Sequence, residues 1–275
     1  MAVSAALLAL PCAGAMAGTV PCPTPTVPGC TSSASGGSGS GGSSGSPSTG
    51  SQSATSTRAV PPDQILSNEM TFTQFAYVHR IANVYSQPST RSHRVSKLTW
   101  YTEDGFNSVY LLLRAHWASN GLEWVKIRIP GRPNGRTGWV ERGALDRFHM
   151  THQAIVVNRA KERLSVYENG KRIWSAPVGV GAPGMPTPTG HFWLNEFFNL
   201  THDPSSGYYP YAFGTTDYST LTDWPGGGVV GIHGPYGAPA SAIPGRISHG
   251  CIRLRISDDF WFGRHVHVGT PVRVI

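Results

Sequence analysis

The chain has 275 residues, 4 cysteines and a formal net charge of +7. Its length allows two compact domains, each with its own core. No apolar run reaches the ~18 to 20 residues of a membrane-spanning helix, so none is predicted. Arg58 is the first charged residue, and the basic residues that follow are dispersed. Positive charge suits an anionic partner, and charge alone leaves nucleic acid and an anionic cell-wall polymer both open.

The N-terminus has the pattern of an export signal. Residues 2–10 are apolar, and residues 13–15 and 15–17 offer Ala-x-Ala cleavage sites. We therefore expect residues 1–17 to be a signal peptide and the protein to act outside the cytoplasm, in the cell wall or periplasmic space. The alternative is a disordered Ala-rich tail.

The cysteines fall into separate groups. Cys12 lies within the predicted signal and is expected to leave with it, and Cys22 and Cys30 flank a proline-rich stretch where a disulfide can form in an oxidising compartment. Cys251 is the odd cysteine left over. A lone thiol in an exported protein is a liability unless it has a chemical task, so Cys251 becomes the first candidate for catalysis.

Residues 18–57 are rich in Gly, Ser and Pro and cannot bury a core. We expect a flexible tether. Residues 76–148 follow with short strands of β-branched and aromatic residues and a turn at Asn134–Gly135. The runs Trp-Val-Lys-Ile at 124–127 and Gly-Trp-Val at 138–140 resemble a bacterial SH3-like barrel. Such a barrel implies either binding of wall peptides or a rigid spacer, and both alternatives stay open.

Residues 153–275 are also rich in strand patterns. Asn169–Gly170 between two such runs predicts a type I′ hairpin. One short helix is predicted, with Ser257 as its N-cap and residues 260–262 packing inward. Helices do not alternate with strands, which argues against a doubly wound parallel sheet. The expected fold is mainly β: a disordered tether, an SH3-like small barrel, then a β-rich catalytic domain with a short helix.

The chemistry gathers around Cys251. A thiol nucleophile needs a base, a group that orients the base, and donors for an oxyanion. His233 and His249 supply candidate bases, and Gly250 allows the backbone to approach a substrate closely.

This arrangement resembles a known family. His233, fourteen residues, and then Ser-His-Gly-Cys-x-Arg at 248–253 match the signature of L,D-transpeptidase (YkuD-type) catalytic domains. Segments 164–171, 186–192 and 269–272 are similar to the same family. The resemblance covers the whole last third of the chain.

The resemblance implies a role for each matching residue. Cys251 is the nucleophile, and His233 is its base, oriented by a backbone carbonyl that we assign to Gly234. His249 lines the site, and the N–H groups of Gly250 and Cys251 form the oxyanion hole.

The outer parts of the site are also implied by the resemblance. Ser248 and Arg253 shape the loop or contact substrate, and Arg253 stands where many family members have Asn. Residues 199–228 form a lid or cleft, with possible aromatic walls at Tyr208, Tyr209, Tyr211 and Trp224.

The implied reaction forms 3→3 cross-links in peptidoglycan. Cys251 attacks a tetrapeptide stem, releases D-Ala, and passes the acyl group to the amine of a neighbouring stem. Water as acceptor would give an L,D-carboxypeptidase, and a protein acceptor would attach that protein to the wall. The resemblance further implies acylation by carbapenems, no cofactor, no metal and no nucleic-acid partner, and we expect a monomer.

Three alternative interpretations fit the sequence less well. Zinc binding at His265 and His267 lacks a third ligand of suitable spacing. A papain-like cysteine peptidase places Cys before His in the chain, whereas His233 precedes Cys251. A non-enzymatic wall-binding protein with a vestigial cysteine is disfavoured by the intact motif.

Overall fold

The computed structural model describes residues 60–222 and 228–275. The predicted signal peptide (1–17), the tether (18–57), Cys12, the Cys22–Cys30 pair and Trp224 lie outside the described residues. Within those residues the chain is mainly β with a helix near its C-terminus, as the sequence predicted. No helix of the described part is long and apolar enough to cross a membrane.

The first sheet is antiparallel and has the strand order β4-β3-β7-β6-β5-β2-β8, with β1 pairing to β5. Its strands are β1 (Gln64–Ile65), β2 (Thr73–Tyr77), β3 (Asn83–Tyr85), β4 (Arg94–Lys97), β5 (Val109–Trp117), β6 (Glu123–Arg128), β7 (Thr137–Glu141) and β8 (His149–Thr151). A 3-10 turn at Arg142–Ala144 follows β7. The sheet thus includes strands beyond residues 76–148. The SH3-like assignment stays a prediction.

Alternation of apolar and polar residues gives the first sheet its own core. Val125, Ile127 and Val140 are fully buried and pack with Leu112 and Leu98. Successive strand side chains point to opposite faces, so the pattern in β6 buries one face of the sheet. This core gives the loops of the first sheet a rigid base.

The second sheet has the order β11-β10-β9-β19-β13. Its strands are β9 (Gln153–Asn158), β10 (Arg163–Glu168), β11 (Lys171–Pro177), β13 (Gly190–Trp193) and β19 (Pro271–Val274). Asn169 and Gly170 join β10 to β11 with φ of 48° and 75°. Two successive left-handed residues are typical of the type I′ turn, so the predicted hairpin is confirmed.

The third sheet has the order β14-β15-β16-β18-β12-β17. Its strands are β12 (Gly179–Gly181), β14 (Phe198–Asn199), β15 (Tyr211–Tyr218), β16 (Val229–His233), β17 (Gly245–Ser248) and β18 (Ile252–Arg253). Strands β16 and β18 are parallel, with Ile232 opposite Ile252. This pairing brings the end of β16 beside the start of β18, although the two strands are well separated in sequence. A 3-10 turn at Ala240–Ala242 precedes β17.

Helix α1 spans Ile256–His265 and packs Phe262, fully buried, into the core shared by the second and third sheets. The prediction of Ser257 as N-cap was wrong, because Arg255 occupies that position and its side chain donates to the carbonyl of Ile243. The buried carboxylate of Asp259 accepts the N–H of Tyr211 over 3.0 Å. A long-range contact, rather than a local cap, therefore anchors the first turn.

The first sheet packs directly on the residues that follow it. The indole Nε1 of Trp193 donates to the carbonyl of Val109 over 2.7 Å, and the N–H of Val109 donates to the Asn195 side chain over 2.9 Å. Glu69 accepts hydrogen bonds from Arg128 and is paired with His191. Buried hydrogen bonds fix geometry because leaving either group unpaired is costly. The first sheet is therefore held against β13 of the second sheet and against Asn195, which follows it.

Candidate active site

The parallel pairing of β16 with β18 assembles the predicted site. His233 is the last residue of β16 and stands opposite Arg253, while Cys251 immediately precedes β18. The turn before Cys251 needs Gly250, whose φ of +124° disfavours any residue with a side chain. The structure thus brings together the histidine and the cysteine that the motif placed in separate segments.

His233 is held in one tautomer. Its ring is 2% exposed, and Nδ1 lies 2.7 Å from the carbonyl oxygen of Gly234. A carbonyl oxygen only accepts, so Nδ1 carries the proton and Nε2 presents a lone pair. Burial lowers the pKa of His233 to about 4, with the Arg253 charge adding to the effect and the Gly234 bond opposing it. His233 is therefore a neutral imidazole at neutral pH.

The Cys251 thiol is half-buried and accepts the N–H of Gly231 over 3.4 Å. Burial raises the pKa of Cys251, whereas the Gly231 bond and the charge of Arg253 act in the opposite direction. Asp217 adds a smaller upward contribution to the same pKa. A thiol and a neutral imidazole thus form the resting pair, and ionisation of the thiol requires transfer of its proton.

Gly231 lies between the side chains of His233 and Cys251. A Cβ on this residue would lie 3.2 Å from Cδ2 of His233 and 3.9 Å from Sγ of Cys251. Both side chains therefore border the same patch of bare backbone on β16. The glycine leaves this patch open between the imidazole and the thiol.

Ser248 holds the turn that carries the thiol. Its Oγ donates to the carbonyl of Cys251 over 2.5 Å and accepts the N–H of Gly250 over 3.2 Å. If the Gly250 N–H is to donate to an oxyanion, this N–H must share or break its hydrogen bond to Ser248. This is a constraint that the motif alone did not indicate.

Thr187 supports the same turn from a distant segment. Its Oγ1 accepts the N–H of Gly181 over 2.9 Å and donates to the carbonyl of Gly250 over 2.7 Å. The side chain is fully buried. Thr187 lies in the segment 186–192 that is similar to the family, but the sequence predicted no role for it.

Aromatic rings and a cation surround His233. Tyr208 packs edge-on against the imidazole with ring centroids 4.8 Å apart, and Tyr236 lies 4.9 Å from Tyr208. The guanidinium of Arg253 sits 5.2 Å from the Tyr236 ring centroid. Burial is the largest of the causes that raise the pKa of Tyr208 to about 12, so this phenol stays neutral. Arg253 therefore contacts the wall of the site as well as matching the motif.

Two cavities meet at the thiol. A narrow one of about 30 Å³ and a larger one of about 330 Å³ share four lining residues. These are Tyr208, Val229, His233 and Cys251. His249 and Arg253 line the narrow cavity, whereas Asp104 and Glu196 line the larger one. The Cys251 thiol is therefore open to both cavities.

The narrow cavity and the thiol sit in residues that match a known domain. Residues 152–274 match the family model YkuD, the L,D-transpeptidase catalytic domain. The match supports an L,D-transpeptidase catalytic domain in these residues. We refer to them as the YkuD domain, and the resemblance stated from the sequence is confirmed for it.

Curated relatives carry the same name. The chain is 26% identical over 169 residues to L,D-transpeptidase 1 of Mycobacterium tuberculosis, a match over 58% of this chain and 64% of that protein. It is 30% identical over 141 residues to the probable L,D-transpeptidase YbiS of Escherichia coli, covering 45% of each. The chain thus spans less than two thirds of the length of these relatives.

Among solved structures, an L,D-transpeptidase from Mycobacterium smegmatis is 17% identical and covers 56% of this chain and 90% of its own. Its TM-score to this chain is 0.36, which supports no conclusion about the fold.

The tyrosines predicted to form the aromatic wall of the site lie in different places in the structure. Tyr208 lines both cavities, but Tyr209 packs against Phe260 and Tyr211 is buried beside helix α1. Tyr236 was missed, although its position shortly after the His233–Gly234 pair offered a signal. Only the turn that folds back onto His233 brings it to the site.

The histidines considered for zinc lie elsewhere. His265 stacks on Trp261 with ring centroids 4.3 Å apart, at the end of helix α1. In the part of the chain that the structure describes, no three or more His, Cys, Asp or Glu side chains are grouped so as to hold a metal ion.

Proposed function

We propose that this protein is a peptidoglycan L,D-transpeptidase that forms 3→3 cross-links through an acyl-enzyme on Cys251. The observation that carries the proposal is that Cys251 and a single tautomer of His233 line the same two cavities, in residues that match the YkuD domain. With Nδ1 bound to Gly234, Nε2 is the lone pair that can accept the thiol proton.

In the first half-reaction, Sγ of Cys251 attacks the carbonyl that joins the third stem residue to its terminal D-Ala. A carbon–sulfur bond forms and the thiol proton passes to Nε2 of His233. The carbon–nitrogen bond to D-Ala then breaks, and His233 returns the proton to the leaving amine. The N–H groups of Cys251 and Gly250 are the proposed donors to the transient oxyanion.

In the second half-reaction, the side-chain amine of a neighbouring stem attacks the thioester. The new amide bond forms, the carbon–sulfur bond breaks, and His233 moves the amine proton to the departing thiolate. The larger cavity, of about 330 Å³, reaches Cys251 and leaves the thioester open to an acceptor. Water as acceptor would give an L,D-carboxypeptidase, and a protein acceptor would attach that protein to the wall.

The other residues of the motif have supporting roles in this proposal. Ser248 holds the turn before the thiol, His249 lines the narrow cavity where substrate enters, and Arg253 favours the thiolate through its charge. The proposed location is the cell wall or periplasmic space, reached through the signal at residues 1–17, and the proposed working form is a monomer. A β-lactam of the carbapenem class is expected to acylate Cys251.

Intact-mass spectrometry after incubation with meropenem tests the nucleophile. We expect one covalent adduct on the wild type and none on Cys251→Ala. Incubation with a disaccharide-tetrapeptide and analysis of the muropeptides tests the acceptor. Dimers with 3→3 links support transpeptidation, and tripeptides alone would point to carboxypeptidation. A wild type that forms neither adduct nor product would overturn the proposal.

A further inference from the structure

The loop between β6 and β7 of the first sheet forms hydrogen bonds with the chain just after β15. The guanidinium Nη2 of Arg132 donates to the carbonyl of Ser219 over 2.8 Å and to the carbonyl of Leu221 over 3.0 Å. A Cβ added to Gly228 would lie only 2.6 Å from the same Nη2 atom. One arginine of the first sheet thus binds two carbonyls of the YkuD domain.

Asn134 of the same loop makes a second set of bonds. Its Nδ2 donates to the carbonyl of Tyr218 over 2.9 Å, and its Oδ1 accepts the N–H of Tyr218 over 3.2 Å. The amide therefore pairs with Tyr218 as a neighbouring strand would. The same Nδ2 donates to Oδ1 of the buried Asp217 over 2.6 Å.

Residues 217–221, held in this way, form a wall of the proposed catalytic site. Ser219 and Leu221 line the narrow cavity with Cys251. A Cβ on Gly250 would lie 3.2 Å from the Cβ of Ser219, so this wall stands directly against the turn that carries the thiol. Burial raises the pKa of Asp217, in the same wall, to about 8, and ionisation of this carboxyl would raise the pKa of the thiol.

We propose that Arg132 and Asn134 are positioning residues that hold the 217–221 wall against the Cys251 turn. The inference rests on the proposed function, because it concerns the reactivity of the same thiol. The first sheet then helps to set the geometry of the active site, although neither Arg132 nor Asn134 touches the substrate. Displacement of a reacting group by about 1 Å can lower a rate roughly a hundredfold, so anchoring of this wall is of direct consequence for acylation.

Loss of this anchoring should affect the alkylation and the acylation of Cys251 in opposite directions. If the wall moves away, water reaches Cys251 and the burial that raises its pKa is partly lost. Alkylation by iodoacetamide then begins at lower pH, because the thiolate is the reacting form. Acylation by meropenem falls at the same time, because the cleft no longer holds the inhibitor in place. A change that merely weakens folding does not give this split in a protein that stays folded.

The variants are Asn134→Ala and Arg132→Lys, in the full chain. A lysine keeps the positive charge but lacks the fixed fork that reaches two carbonyls. The matched control is Arg136→Ala, an arginine of the same loop whose side chain donates to Pro130 and Val95 within the first sheet. Melting temperatures verify that each variant is folded at the assay temperature.

Alkylation is followed on the tryptic peptide 247–253 by mass spectrometry across pH ~7 to 11, which spans the ordinary thiol pKa of about 8.5 and the raised values above it. We expect the midpoint to fall in both variants, and meropenem acylation to slow roughly tenfold or more, with Arg136→Ala close to wild type. An unchanged alkylation midpoint in both variants, or the same shift in Arg136→Ala, would overturn the inference. If wild-type protein is never acylated, the proposed function fails while the alkylation midpoint still decides the role of Arg132 and Asn134.

Discussion

The hydroxyl of Thr187 donates a 2.7 Å hydrogen bond to the carbonyl oxygen of Gly250, the residue before the thiol. The same hydroxyl accepts the N–H of Gly181, so one buried side chain joins β12 to the turn that carries Cys251. Gly250 has a backbone conformation that few residues adopt, and fixed bonds on its carbonyl keep that conformation in place.

Thr187→Val should lower both stability and acylation. Valine keeps the shape but leaves a buried N–H and a buried carbonyl unpaired, at a cost of about 1 to 3 kcal/mol for each group. The Gly250 peptide is then free to rotate, and meropenem acylation should slow about tenfold. Thermal denaturation and time-resolved intact mass measure the two effects. Thr189→Val, at an exposed position of the same segment, is the control, and equal behaviour of the two variants would contradict the assigned role.

Gly231→Ala should impair acylation more than folding. The new methyl would lie 3.2 Å from the His233 ring and 3.9 Å from Sγ of Cys251, in the gap between base and nucleophile. A shift of a few tenths of an ångström is tolerated by the fold but not by proton transfer, so we expect a loss of roughly tenfold to a hundredfold in acylation rate. Gly143→Ala, where a Cβ meets nothing within 4 Å, provides the matched control. Acylation at the wild-type rate in Gly231→Ala would show that the gap is not needed.

The pH dependence of acylation should lack an inflection near the ordinary pKa of histidine. Burial lowers the pKa of His233 to about 4, so the base loses its lone pair only as pH falls through that value. Burial also raises the pKa of Cys251, which places thiol ionisation on the alkaline side. Meropenem acylation rates should therefore stay level from pH ~5 to 7, above the pKa of His233 and below that of the thiol. A midpoint between pH ~6 and 7 would instead indicate a solvated imidazole.

Asp259→Asn should remove a pH-dependent loss of stability. Burial raises the pKa of Asp259 from 3.8 to about 8. Between these values the folded state holds a proton that the unfolded state has released, so stability falls as pH rises through this window. The wild type should therefore lose about 1 to 3 kcal/mol relative to Asp259→Asn between pH ~5 and ~8.5, at about 1.4 kcal/mol per pKa unit after allowance for relaxation.

Thermal denaturation at the two pH values measures this difference. Asp146→Asn, at an exposed position, is the control and should track the wild type at both. If Asp259→Asn also tracks the wild type, the carboxyl is ionised without penalty in the folded state.

Short-range features were within reach of the sequence. The type I′ turn at Asn169–Gly170 depends only on two residues that accept positive φ, and it formed as predicted. The motif around Cys251 identified the nucleophile candidate, its histidine and the carbonyl of Gly234, because these groups lie close in the chain or at a defined spacing. The start of helix α1 was misplaced: Arg255 is the N-cap and makes no side-chain cap, and the first turn is bound instead by Tyr211, far away in sequence, through Asp259.

The sequence by itself determined which atoms can do chemistry: one thiol, one histidine and a glycine turn that matches a YkuD domain. Only the tertiary structure decided how those atoms are held. Thr187 reaches Gly250, and Arg132 and Asn134 reach the 217–221 wall, through contacts between segments that are far apart in the chain. The pattern of residues along the chain indicates local backbone preference and burial. Contacts of this kind arise instead from the packing of whole sheets, and the spacing of residues in the sequence does not indicate them.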